Sequence, residues 1–325
     1  MAEISARLVK QLRDKTGAGM MECKKALVEA NGDIAEAEII LRKRGIAAAA
    51  KKETRSTKQG LISANISADE KLGVLVEINC ESDFVARTED FQTLAADVAA
   101  HIGESKPKLV RVDEVTEAER ANFKAHEALY EQKFAKDQNT TVGEMVKTKI
   151  AKLGENIAVS RFVVYEVDGS GVVANYIHAG AQIGVLLEVK TKSDEISKNE
   201  EFRKLVHDIA MQVAASHPEF VSKEHVPHDV VEKERDIQRE RARGEGKPEK
   251  MIDKIAEGRM SKFYEEVCLL EQPFIRENTI SIRELIQAAS AKLGDGITVA
   301  RFTRYKVGDA MDAPGVEESP LPVTA

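Results

Sequence analysis

One stretch of this chain occurs twice, and the duplication limits the fold more than any single motif does. "LGVLVEINCESDFVARTEDFQTLAADVAA", from Leu72, aligns without gaps on "IGVLLEVKTKSDEISKNEEFRKLVHDIAM", from Ile183. Gly73 falls on Gly184, Glu77 on Glu188, Asp83 on Asp194, Phe91 on Phe202 and Asp97 on Asp208, at a constant offset of 111. Further on, "KLGENIAVSRF" from Lys152 matches "KLGDGITVARF" from Lys292 at an offset of 140, with seven of eleven residues identical. A repeat of this length means two copies of one structural unit. The change of offset puts 29 additional residues inside the second copy.

Each copy reads as two strands, a helix, a second helix and a closing strand, in the first copy at roughly 60–67, 72–80, 88–101, 141–153 and 156–167. "ADEK" joins the first two strands and is short enough for a hairpin, which predicts a largely antiparallel sheet with helices on one face. The fold class is therefore α+β, duplicated. The additional residues fall in "VPHDVVEKERDIQRERARGEGKPEKMIDKIAEGRMSKFYEEV", two charged helical runs on either side of the breaker "GEGKP". Apolar positions are sparse, at Val230, Val231 and Ile237 outward and at Ile252, Ile255 and Phe263 on the return. The pattern predicts a protruding antiparallel helical hairpin over about 227–268, with an arm of about 17 residues reaching on the order of 25 Å.

Upstream, residues 1–45 read as a bundle of three short helices. Leu8, Val9 and Leu12 follow a Ser5 cap, and Ala26 and Leu27 face inward beyond the turn "TGAG". "NGDIAE" sets Gly32 at one helix end and Asp33, with Glu36 three residues on, at the start of the next. A unit this small buries little core, which suits a docking head. Residues 46–59 read as a linker, 60–168 and 169–307 as the two core subdomains, and the acidic, Pro-containing segment 308–325 as a disordered tail.

Composition excludes several classes. Lys and Arg number 48 against 55 Asp and Glu, a net charge of -7, so no strong basic face is expected and nucleic acid is an unsuitable partner. No run approaches the roughly 20 apolar residues a membrane helix needs, and the charged start does not resemble a secretory signal, which predicts a cytoplasmic protein. Cys23, Cys80 and Cys268 are scattered without a CxxC pair and read as core fillers, not zinc ligands. His225 and His228 read as solvated at a helix entry marked by Pro227. GxxxxGK[ST] is absent, so no direct nucleotide binding and no cofactor are expected. G-x-S-x-G and HExxH are absent as well, and no enzyme chemistry is expected.

What remains is surface for contact, and Phe84 in "ESDFVAR" is its sharpest feature. The ring follows a strand, on a turn, while the duplicate carries Glu195 at the same place in "KSDEISK". A ring required for packing this unit would be expected to have an apolar counterpart in the second copy.

"LRDKTGAGMMECKKALVEANGDIAEAE", "SDFVAR", "YIHAGAQIGVLLEV" and "GKPEKMIDKIAEGRMSKFYEEVCLLEQPF" together resemble bacterial elongation factor Ts, the nucleotide-exchange factor of the translational GTPase elongation factor Tu. The resemblance implies a head like a ubiquitin-associated domain, two similar α+β subdomains and a coiled-coil hairpin inserted in the second. It implies that Arg13, Met20 and Met21 dock on the GTPase, and that Ser82, Asp83, Phe84 and Val85 intrude beside its Mg2+ and dislodge the ion. Leu153, Gly154, Asn156 and His178 are the other contacts it implies. Ser82 stands where the family usually has Thr, and either hydroxyl caps the turn. Two other readings compete: an adaptor for ubiquitin-like partners, and a hydrolase using Ser82, Asp83 and a distant histidine.

Overall fold

The computed structural model describes residues 4–112, 116 and 124–309. The expectation for the tail falls outside these from residue 310 onward.

Three helices open the chain: α1 (Ala6–Thr16), α2 (Met20–Glu29) and α3 (Ile34–Ala50). Their starts and stops are chemical. Ser5 Oγ accepts from the Leu8 N–H at 3.3 Å, Asp33 Oδ1 accepts from the Glu36 N–H at 3.0 Å, and Gly17 ends α1 at φ +68°, a conformation glycine adopts at little cost. Val9, Leu12, Cys23, Leu27 and Ala37 close the small core between them. α3 runs five residues into the segment expected as linker, because Ala47 to Ala50 are strong helix formers and Ala49 is buried in the first copy's core.

The first copy holds β1 (Gln59–Ile66), β2 (Leu72–Cys80), the single turn α4 (Asp83–Ala86) and α5 (Glu89–Ser105). It continues with β3 (Lys133–Phe134), β4 (Asp137–Thr141), α6 (Val142–Leu153) and β5 (Ile157–Glu166). The second holds β6 (Gly171–Ile177), β7 (Ile183–Lys190), α7 (Glu200–Ser216), the hairpin helices α8 (His228–Gly244) and α9 (Ile252–Val267), β8 (Pro273–Phe274), β9 (Glu277–Ser281), α10 (Ile282–Leu293) and β10 (Thr298–Lys306). Each copy forms a three-stranded antiparallel sheet, β1-β2-β5 or β6-β7-β10, with β2 or β7 in the centre. α6 and α10 begin with matching capping boxes, Thr141 with Glu144 and Ser281 with Glu284.

Alternation along the central strands explains the layering. Val74, Val76, Ile78 and Cys80 point to α5 and α6, where Phe91, Leu94, Val98, Val146 and Ile150 cover them. Leu75 points the other way and meets Ile62, Val173, Leu186 and Tyr305, so the two sheets pack face to face with helices outside. The sequence pattern gave helices on one sheet face; the structure shows that the other copy covers the second face. Gly73 and Gly184, equivalent in the repeat, sit where the sheets touch. A Cβ at Gly73 would lie 2.4 Å from Val173 Cγ1, and one at Gly184 2.4 Å from Ile62 Cγ2.

The interface is reciprocal in its charges too. Fully buried Glu77 accepts from Arg161 Nε at 2.8 Å, and the Arg161 guanidinium lies 4.1 Å from the Tyr305 ring of the second copy. Glu188 accepts from Arg301 Nε at 2.6 Å, and Arg301 lies 4.1 Å from the Tyr165 ring of the first. Each ion pair is thus roofed by an aromatic ring from the other copy.

A second reciprocity joins each α5-type helix to its neighbour. His101 Nε2 lies 3.0 Å from Gln132 Oε1 and His101 Nδ1 accepts from the Ala135 N–H at 3.2 Å; in the second copy Gln212 donates to Gln272 Oε1 at 3.1 Å and accepts from the Ile275 N–H at 2.9 Å. These contacts assign the neutral, Nε2-protonated imidazole. Burial holds the His101 pKa below its ordinary value, against the opposing pull of the Gln132 hydrogen bond and of Glu104. The unfolded chain takes the proton more readily. Stability is therefore full above the ordinary value of about 6.5 and falls as the pH drops from there through the depressed folded value. His101→Gln, which copies the second copy's Gln212, should keep the fold and remove this part of the acid sensitivity, read as the change in melting temperature between about pH 7.5 and pH 5.5.

The inserted helices run antiparallel. Arg235 pairs with Glu257 at 3.3 Å, Arg239 with Asp253 at 2.8 Å and Arg243 with Glu249, in the turn before α9, at 3.0 Å, so the partners' numbers fall toward the start of α9 as they rise along α8. Their seam is Ala242, Ile252, Ala256 and Met260, all buried. Ile237, one of the sparse apolar positions of the outgoing helix, is 49% exposed.

Candidate interaction site at the Ser82 to Arg87 turn

β2 leaves the sheet at Cys80, paired with Ile157 at the start of β5, and the chain turns at once into α4. Four residues cannot sustain a helix by themselves. This one is held from outside. Ser82 Oγ accepts from the Val85 N–H at 3.4 Å and donates to Glu155 Oε1 at 2.6 Å, while the Ser82 N–H donates to Glu155 Oε2 at 2.9 Å. In return Glu81 Oε1 accepts from the Asn156 N–H at 2.6 Å. Ala86 is buried and Val85 packs on the core, which fixes one side of the turn. Phe84 is on the other side and is 80% exposed, whereas among the described residues the largest fully buried side chains are also Phe, at 91 and 202. Asp83 pairs with Arg87 at 2.8 Å, a contact between two exposed side chains that adds little stability.

The other sequence-predicted residues divide by location. Leu153, Gly154 and Asn156 adjoin the Ser82 turn through Glu155, and the connector after α3 is tied on top of them: Asn156 Nδ2 donates to the Arg55 carbonyl at 2.9 Å and Lys52 to that of Gly154 at 2.6 Å. His178 is exposed on the turn after β6, its Nδ1 3.0 Å from the Tyr176 hydroxyl, beside a hollow of about 420 Å³ also lined by Met211, Ile275 and Arg304. That turn reaches the same end of the first sheet, since Ala181 accepts from the Ile62 N–H at 2.8 Å and Gln182 donates to the Gly60 carbonyl at 2.9 Å. Arg13, Met20 and Met21 lie on the head instead. Met20 and Met21 begin α2 and are 54% and 66% exposed.

Burial, then the Glu155 carboxylate, push the Cys80 thiol up to about 12, and burial, then Glu271, push Cys268 up to about 11, so neither is a ready nucleophile. Ser82 donates its hydroxyl proton to the Glu155 carboxylate, and His178 Nδ1 lies against the Tyr176 hydroxyl. His225 Nδ1 lies 2.8 Å from Ser222 Oγ, and among the described residues no group of three His, Cys, Asp or Glu side chains could hold a metal ion.

The family profile described as "Elongation factor TS" matches residues 81–309, from the Ser82 turn to the end of the second copy. The chain belongs to the elongation factor Ts family. Relatives named Elongation factor Ts include one from Nostoc sp. (strain PCC 7120 / SAG 25.82 / UTEX 2576), 42% identical over 96% of this chain and 95% of the relative. Others come from Clostridium botulinum (strain Alaska E43 / Type E3), 44% identical over 97% and 96%, and Aquifex aeolicus (strain VF5), 43% identical over 94% and 98%. As in the sequence reading, this member of the family is α+β, with helices first and small antiparallel sheets after. Among the described residues no helix is long and apolar enough to cross a membrane. Glu155 lies within the same "LGEN" turn, and the sequence reading gave it no role of its own. The repeat held a signal for it, because Asp295 keeps the acid at the equivalent place.

Proposed function

We propose that this chain is a guanine-nucleotide exchange factor: it binds elongation factor Tu in its GDP form, displaces the bound Mg2+ and promotes GDP release so that GTP can enter. The observation that carries the reading is Phe84, exposed on a turn anchored at its start by Glu155 and Asn156 and on its inner side by buried Ala86, while the equivalent turn of the second copy exposes Glu195. Phe84 is the wedge, and Ser82, Asp83 and Val85 shape the turn that presents it. The ring fills a space in the GTPase that opens only when the Mg2+-binding elements move. A carboxylate from Asp83 taking the place of the ion's ligands would hold the ion and not release it.

Functionally the chain divides into a head over 1–45, a linker over 46–59, core subdomains over 60–168 and 169–307 with a coiled-coil hairpin at about 227–268, and a tail over 308–325. Arg13, Met20 and Met21 on the head, Leu153, Gly154 and Asn156 beside the wedge, and His178 in the second subdomain supply the remaining contacts. The protein works in the cytoplasm without catalytic chemistry, cofactor, nucleotide, nucleic acid or membrane of its own. Met21→Asp places a carboxylate where a Met side chain should be buried on docking. It should weaken nucleotide-free association at least about tenfold, measured by titration calorimetry. Unchanged affinity would remove the head from the interface.

A further inference from the structure

We infer that Glu155 is the positioning residue for Phe84: it fixes the turn from which the ring acts and need not itself touch the partner. The inference rests on the exchange reading above. A ring that is 80% exposed has no packing of its own to aim it, so its direction is set by the backbone of α4. That backbone is too short to hold itself, and its cap depends on Glu155 in two ways. One carboxylate oxygen takes the Ser82 N–H; the other takes the Ser82 hydroxyl proton, which leaves the oxygen lone pair turned to the Val85 N–H. Glu81 and Asn156 close the same latch from the opposite side.

The second copy supplies an internal comparison. Asp295, one methylene shorter than Glu155, accepts from the Lys192 N–H at 2.7 Å and the Ser193 N–H at 3.2 Å. The backbone latch is thus common to both copies. The turn after Ser193 is a 3-10 turn over Asp194–Lys198, whereas Ser82 caps a turn of α-helix. The grip of a carboxylate on the capping hydroxyl is recorded in the copy that carries Phe84. A preorganised turn loses less conformational freedom when the ring is driven into its site.

The test is stopped-flow release of fluorescent GDP from elongation factor Tu over a range of factor concentrations, for Glu155→Ala, Glu155→Gln, Glu155→Asp, Phe84→Ala and the Glu155→Ala/Phe84→Ala pair. Glu155→Ala should lower the maximal rate about tenfold and change the half-saturating concentration less than about twofold, with Glu155→Asp between it and the wild type. In the Phe84→Ala background it should add nothing, because both changes act through one ring. Hydrogen exchange on the free protein should show the amides of Val85 to Thr88 losing protection while those of β2 keep theirs. Should Glu155→Ala disturb β2, Glu155→Gln, of the same shape, takes its place in every comparison. Additive effects in the double variant, or a wild-type maximal rate in Glu155→Ala, would overturn the inference and leave the exchange reading intact. A wild-type rate in Phe84→Ala would defeat the wedge itself, and the inference with it.

Discussion

Phe84→Ala should slow GDP release from elongation factor Tu roughly 10- to 100-fold while leaving this protein's own melting temperature almost unchanged. The two halves of that expectation have separate grounds. Removing an 80% exposed ring takes no packing from the folded chain, so stability has little to lose. Burying a Phe side chain in a partner contributes roughly 1.5–3 kcal/mol, and each 1.4 kcal/mol is about a factor of ten. Linkage sets a bound as well. A partner that weakens GDP binding about 10⁴-fold must supply about 5.5 kcal/mol of differential affinity, more than one ring gives. The head and core must provide the rest, so nucleotide-free association should survive the substitution far better than exchange does. Stopped-flow release beside calorimetry of the nucleotide-free complex separates the two; equal losses in both would recast the ring as an ordinary contact.

Glu77→Ala should destabilise the fold by about 3–5 kcal/mol, a large share of the 5–15 kcal/mol typical of a domain. The carboxylate is fully buried and holds Arg161 Nε, Asn79 Nδ2 at 3.0 Å and the Gly308 N–H at 2.8 Å, so its loss strands three donors at the junction of the two sheets. Urea unfolding followed by circular dichroism measures the change. Glu188→Ala should act in the same direction through Arg301, whereas Lys106→Ala, which breaks an exposed pair with Glu166, should leave the urea midpoint nearly unmoved. A small effect for Glu77→Ala would show that the sheet junction holds on apolar contact alone.

Local chemistry made much of this legible before any coordinates. Strand period, capping residues and the two offsets marked β2, β7, α6, α10 and the helical hairpin, because each is specified by residues close in sequence. Contacts between distant segments were harder to read. Of the apolar positions read on the hairpin, Ile252 is buried in the seam and Ile237 is exposed, while Ala242 and Ala256, small residues that let two helices approach, complete the seam with little hydrophobic signal of their own. Strand β3 is too short for a period to develop, and β4, "DQNTT", has no apolar residue to mark one. Glu155 resembles any surface carboxylate until the Ser82 amide and hydroxyl are seen to converge on it. Phe84 was legible because the chain carries its own control, the same turn with Glu195.

The crossed ion pairs also set an order in time. Arg161 belongs to β5, and the ring that roofs it, Tyr305, is encoded 144 residues later in the last strand of the second copy. At about 5–20 residues per second of synthesis, roughly 7 to 30 s separate their appearance. Through that interval the face of the first sheet that holds Leu75 and Ile62 has no second sheet to cover it. The half that carries Phe84 is therefore covered on this face only after the last strand of the other half has been translated.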